Sequence, residues 1–175
     1  MNDSRGRAPF DSKGPGRVRR AQLPLLDRLI DAEPSATTDR TLSTPAAMEA
    51  LRAGVRRDLE ELLNTRRRWQ SWEPGLSHLK QSLVAYGLPD FASGAFNEQR
   101  RRDELRQLVE ECIRTFEPRI TNLKVSLVEA TDKTSGTLRL RIDAMLRSDP
   151  APEPIIFDTV VDLVAKTVTV SEEES

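Results

Sequence analysis

Histidine and cysteine, the side chains that most often do nucleophilic or metal chemistry near neutral pH, occur once each, at His78 and Cys112. A Ser-His-Asp or Cys-His arrangement would have to be built on His78 alone, and no motif around any serine supplies its partner. Cys112 stands four residues from both Leu108 and Phe116 on an apolar helical stripe, where a thiol behaves as a small hydrophobe. A single cysteine makes neither an internal disulfide nor a Cys-rich zinc site. Carboxylates fall side by side at Glu60-Glu61, Asp103-Glu104 and Glu110-Glu111. Neighbours on a helix point about 100° apart, so these acids do not converge on one bond as a glycosidase pair must, and they read as solvated helix faces. Neither GxxxxGK[ST] nor GxGxxG occurs, which removes the usual phosphate-cradling loops.

Two clusters could grip a partner rather than a substrate. Arg66-Arg67-Arg68 followed by Trp69 and Trp72 admits three readings: a cationic helix end with tryptophans capping the core, a protein interface, or a single-stranded nucleic acid site. Phe116-Glu117-Pro118-Arg119 lies where a long helix gives way to a strand. Pro118 fixes the exit direction, and Glu117 and Arg119 flank it, presenting opposite charges from a rigid corner; the plainer reading is a helix stop with a local ion pair. Arg100-Arg101-Arg102 reads as a solvated helix start.

These residues sit in a chain of 175, the size of one domain plus a tail, with 31% charged and 37% hydrophobic residues. A net charge of -1 argues against a dedicated polyanion binder, which needs a large surplus of Lys and Arg. No apolar run approaches the length of a transmembrane helix, and the Arg-rich N-terminus carries no signal-peptide core, so the expected location is the cytoplasm.

Positioning falls to helices first and strands second. Residues 1–43 read as a flexible arm, interrupted at 22–30 by a short apolar docking segment that includes Leu25, Leu26 and Leu29. The first helix is expected from an N-cap at Thr44, with Pro45 next, to about Arg66, because Met48, Leu51, Val55, Leu59, Leu62 and Leu63 form one stripe. A shorter helix is expected over 76–86 with Leu76, Leu79, Leu83 and Tyr86 on one side, stopped by Gly87 and Pro89. A third runs from about Asn97 to Phe116. From Leu123 the apolar period changes to two, and Leu123–Leu127, Leu138–Leu146, Ile155–Val164 and Val168–Val170 read as three to four antiparallel strands. The expected class is therefore α+β, about three helices packed on one face of a small antiparallel sheet, with a domain over 44–171 and an acidic tail at 172–175.

Four segments in order, Leu25-Leu26-Asp27-Arg28-Leu29, Val55-Arg56-Arg57-Asp58-Leu59-Glu60 with Leu62-Leu63-Asn64-Thr65-Arg66, Tyr86-Gly87-Leu88-Pro89-Asp90 and Phe116-Glu117-Pro118-Arg119, strongly resemble the TssE family. These are baseplate subunits of the bacterial type VI secretion system, similar to a small wedge protein of contractile phage tails often labelled lysozyme-like. The resemblance implies a non-enzymatic wedge protein without a cofactor, which joins TssF and TssG, supports the TssB/TssC sheath, and meets TssK and other baseplate components indirectly. It places the protein at the cytosolic face of the inner membrane through the assembled baseplate. It also implies an attachment role for Glu117, Pro118 and Arg119, and a sheet like the sheath's strand-exchange domain, so that an edge strand at Val168 and Val170 could pair with a sheath strand. The last hairpin turn, Val164-Ala165-Lys166-Thr167, departs from expectation because it lacks the glycine of tight turns. A regulatory adaptor on the same fold and a muramidase-type enzyme are the alternatives; the second would need two acids facing a cleft.

Overall fold

The computed structural model describes residues 43–67, 73, 75–90, 99–128, 137–148 and 151–172, with single positions at 29 and 35. Among the described residues two long α-helices precede four strands, giving the expected α+β class, with no third α-helix where one was expected over 76–86. Helix α1 spans Thr44–Asn64. Its N-cap is Ser43 rather than Thr44: the Ser43 hydroxyl accepts from the Ala46 N–H at 3.4 Å, and Pro45 sits in the first turn, where no N–H is needed. The whole predicted stripe from Met48 to Leu63 is buried. Helix α2 spans Gln99–Phe116 and buries Leu105, Val109, Cys112 and Ile113.

The helix expected over 76–86 is not α-helical. It resolves into two 3-10 turns, Ser77–Gln81 and Leu83–Ala85, separated by an extended Ser82 whose hydroxyl donates to the Leu79 carbonyl at 2.9 Å. So short a segment cannot offset the cost of α-helix nucleation without a buried face. The face it was to bury is largely open: Leu76 is 49% and Leu83 88% exposed, and of the two turns' residues only Ala85 is buried.

Strands β1 (Ile120–Val128), β2 (Thr137–Leu146), β3 (Glu153–Asp162) and β4 (Thr167–Glu172) form an antiparallel meander in the order β1-β2-β3-β4. Leu138, Leu140, Ile142, Ala144 and Leu146 face the same side as Ile155, Phe157, Thr159 and Val161, and both helices cover that side, α1 on β4 and α2 on β1. Register breaks between Thr121 and Lys124, where Asn122 adopts φ 51°, so Ile120 and Val125 rather than a strict alternation reach the core. The β3–β4 turn works without glycine because the Asp162 carboxylate accepts from the Val164 and Ala165 N–H groups, each at 2.8 Å, while Lys166 takes the left-handed φ of 58°. Glu172, expected in the fraying tail, ends β4 and reaches Arg52 at 3.5 Å.

Candidate functional site

Helix α2 ends at Phe116 because Pro118 disfavours helical geometry at the residue before it. The Glu117 N–H still donates to the Ile113 carbonyl at 2.8 Å, closing the last turn, and the Ile120 N–H donates to the Glu117 carbonyl at 3.1 Å, turning the chain into β1. The corner is anchored from outside as well, since the Arg147 N–H donates to the Arg119 carbonyl at 2.8 Å.

The charges at this corner face each other, which corrects the expectation that both would be presented outward. Glu117 is buried, 5% exposed. One of its carboxylate oxygens accepts from Arg119 Nε at 2.6 Å and from the Arg119 backbone N–H at 3.2 Å, and the other accepts from Arg119 Nη2. A buried carboxylate needs such a partner, and the planar guanidinium meets it with two parallel bonds. The same Nη2 donates to Asp58 Oδ2 at 2.6 Å, tying the corner to α1 across 61 residues of sequence. Asp58 also accepts from Arg57 Nε and Nη2 at 3.1 Å each. Arg119 is held protonated well above its ordinary value, chiefly by its bond to Glu117, with Asp58 adding to the effect.

Beside the clamp lies an open hollow of about 380 Å³, whose wall includes Glu61, Leu62, Tyr86, Phe116 and Pro118. Pro118 is exposed. Tyr86 and Phe116 meet edge to face, with ring centroids 5.3 Å apart and planes at 70°. Burial, reinforced by the Glu61 and Asp58 carboxylates, pushes the Tyr86 phenol up, so it stays neutral. Tyr86 is positioned by the loop behind it. Leu88 donates to the Thr65 carbonyl and accepts from the Arg67 N–H, both at 2.9 Å, and Gly87 holds φ 93° where a Cβ would lie 2.3 Å from the Thr65 oxygen.

The other sequence candidates do not gather here. Val168 and Val170 are core residues, 2% and 1% exposed, so their side chains face the helices and not a partner. Their backbone edge is also occupied: Asn64 Nδ2 donates to the Val168 carbonyl at 2.7 Å, the Val168 N–H donates to Asn64 Oδ1 at 2.8 Å, and Arg56 reaches the Val170 carbonyl at 3.5 Å. Leu29 is 73% exposed, while Leu25, Leu26, Arg68, Trp69 and Trp72 lie outside the described residues. His78 is exposed on a 3-10 turn, and Cys112 is buried, its thiol pushed up to about 11 chiefly by desolvation. Glu104 and Glu110 each pair with two arginines of their own helix, as expected of a solvated face. Among the described residues no His, Cys, Asp and Glu cluster could hold a metal ion, and no helix is long and apolar enough to cross a membrane. Sequence reading missed Asp58 and Tyr86 as members of the site, although each lies within a segment that the resemblance had singled out.

Residues 49–151 match the family described as baseplate wedge protein gp25, a span that contains the clamp, the hollow and both helices almost entire. The chain belongs to this family. No curated protein and no solved structure matches the chain. For a wedge protein a structural part in a baseplate follows, together with contacts to other baseplate components. The clamp gives such a part a physical basis, because it fixes the direction in which the sheet leaves the helices.

Proposed function

We propose that the chain is the TssE-type subunit of a type VI secretion baseplate, a structural and non-catalytic wedge protein. In this reading it joins TssF and TssG, supports the TssB/TssC sheath, and lies in the cytoplasm against the inner membrane through the assembled baseplate, with TssK reached only through its neighbours. The observation that carries it is the Glu117–Arg119–Asp58 clamp beside an aromatic-walled hollow, inside the family span. The clamp itself is satisfied internally, so the contact surface is the exposed ridge of Pro118 with Glu61 and the Tyr86–Phe116 pair, while Glu117 and Arg119 hold that ridge in place.

A sheath strand would add at β1 rather than β4. Antiparallel ladders turn alternate residues outward. Val170 pairs with Thr159, Thr159 with Leu140 and Leu140 with Leu127, so the outward-facing Val170 places Leu127 outward on the opposite edge. Val125 shares that direction, its carbonyl accepting from Arg106 Nη1 at 3.3 Å. The Leu127 N–H and C=O have no such side-chain partner among the described residues, and they form the stretch open to an added strand.

The test is capture of TssF and TssG by the purified chain. Glu61→Arg and Pro118→Glu are expected to leave the melting temperature unchanged and to lower capture about tenfold, the effect of losing roughly 1.4 kcal/mol at an interface. Full capture by both folded variants would remove the assignment of the ridge.

A further inference from the structure

The β4 edge is self-complementary and closed from within. Val168 and Val170 turn their backbone groups outward, as does the carbonyl of Lys166 in the turn before them, and three side chains from α1 and the residues just after it meet them. Arg66 Nη2 donates to the Lys166 carbonyl at 2.7 Å, Asn64 bonds both the N–H and the C=O of Val168, and Arg56 reaches the Val170 carbonyl at 3.5 Å. Both Asn64 amide protons are used, because its Nδ2 also donates to the Glu60 carbonyl at 2.8 Å. The strand beneath reads Thr167-Val168-Thr169-Val170-Ser171, five residues without charge and with high β-propensity, the composition that makes an open edge a template for another chain.

We infer that this side-chain plug keeps β4 from pairing with β4 of a second copy. The occupant follows from the register. An antiparallel pairing about a two-fold axis at Thr169 sets Val168 of one copy against Val170 of the other, both already outward, so their backbone groups can exchange hydrogen bonds. The same axis sets Thr167 of each copy opposite Ser171 of the other, and brings the turn residue Lys166, just before the strand, to the end where the other copy's Glu172 lies, opposite charges at both ends of the pairing. No other register about a nearby two-fold makes both matches at once. Asn64 stands at the centre of the edge and excludes this pairing by occupying the groups it needs.

The experiment uses the full chain and sedimentation equilibrium over a range of concentrations. The unaltered protein is expected to keep the mass of one chain, and Asn64→Ala to double in mass as concentration rises. Asn64→Asp is expected to stay single, since its carboxylate still accepts from the Val168 N–H and sets a negative charge where the second strand would approach. Thr169→Cys reports the geometry: central residues across the axis are a close pair, so a disulfide-linked dimer is expected with Asn64→Ala and not with Thr169→Cys alone. Folded Asn64→Ala that remains single, doubling by Asn64→Asp, or cross-linking of Thr169→Cys alone would each overturn the inference. If Asn64→Ala does not fold, amide exchange in the unaltered chain decides. The plug requires the Val168 N–H to exchange at least tenfold more slowly than the outward Val170 N–H, which has no partner among the described residues, and equal rates would overturn it.

Discussion

At the scale of single residues the decisive side chain is Arg119, whose loss strands a buried carboxylate. Arg119→Ala is expected to lower the unfolding free energy by about 3 kcal/mol, because removing one partner of a buried ion pair leaves the other uncompensated. Adding Glu117→Gln should recover much of that loss, and urea unfolding of the single and double variants would measure the coupling. Sequence alone placed Glu117 and Arg119 at the helix exit but not the folding of Arg119 back onto the carboxylate, where its Nη2 also meets Asp58 from a helix 61 residues earlier. Cys112 was legible from spacing alone, as Leu108, Cys112 and Phe116 mark one face. Its thiol, raised from 9.0 to about 11, gives a signed pH effect. The stabilising contribution is complete below pH 9 and is lost as pH rises through 11. Stability should therefore fall by about 1.4 kcal/mol per pH unit across that window, and Cys112→Ala should flatten the slope seen in denaturant unfolding at each pH.

At the scale of elements, spacing was informative wherever one stripe met one core. All six apolar positions named for α1 are buried, and so are the alternating residues of β2 from Leu138 to Leu146. It failed over 76–86, where four apolar residues at helical spacing proved insufficient without a surface to cover them. Turn chemistry was half legible: the lack of a glycine near Lys166 is plain in the sequence, but the Asp162 carboxylate that replaces it shows only in the hydrogen bonds. Gly87 is the element-scale joint, because the loop it turns presses onto the end of α1. Gly87→Ala meets both a left-handed φ of 93° and a clash at 2.3 Å with backbone oxygen. A loss of about 2–3 kcal/mol is expected, read as a lowered melting temperature. The Tyr86–Phe116 contact should loosen with it, visible in the near-ultraviolet circular dichroism.

At the scale of the whole molecule, the buried cluster runs from Met48 to Val170 and draws on both helices and all four strands. A chain lacking residues 1–42 keeps every member of that cluster and is expected to fold, checked by a cooperative thermal transition. Any loss of partner capture on that deletion would then report docking by the 22–30 segment and not damage to the fold.

The sheet is a run of neighbours, each strand beside the next, whereas the seam between α1 and β4 joins residues as far apart as Asn64 and Val168. Hairpins close cheaply, and a loop of that span closes late, because entropy must be surrendered before the contact rewards it. During refolding the meander can assemble while the first helix is still searching, so the bond between the opening and closing stretches of the fold is its final zip. Under mechanical load, with tension drawing those stretches apart, rupture is expected to begin at that zip.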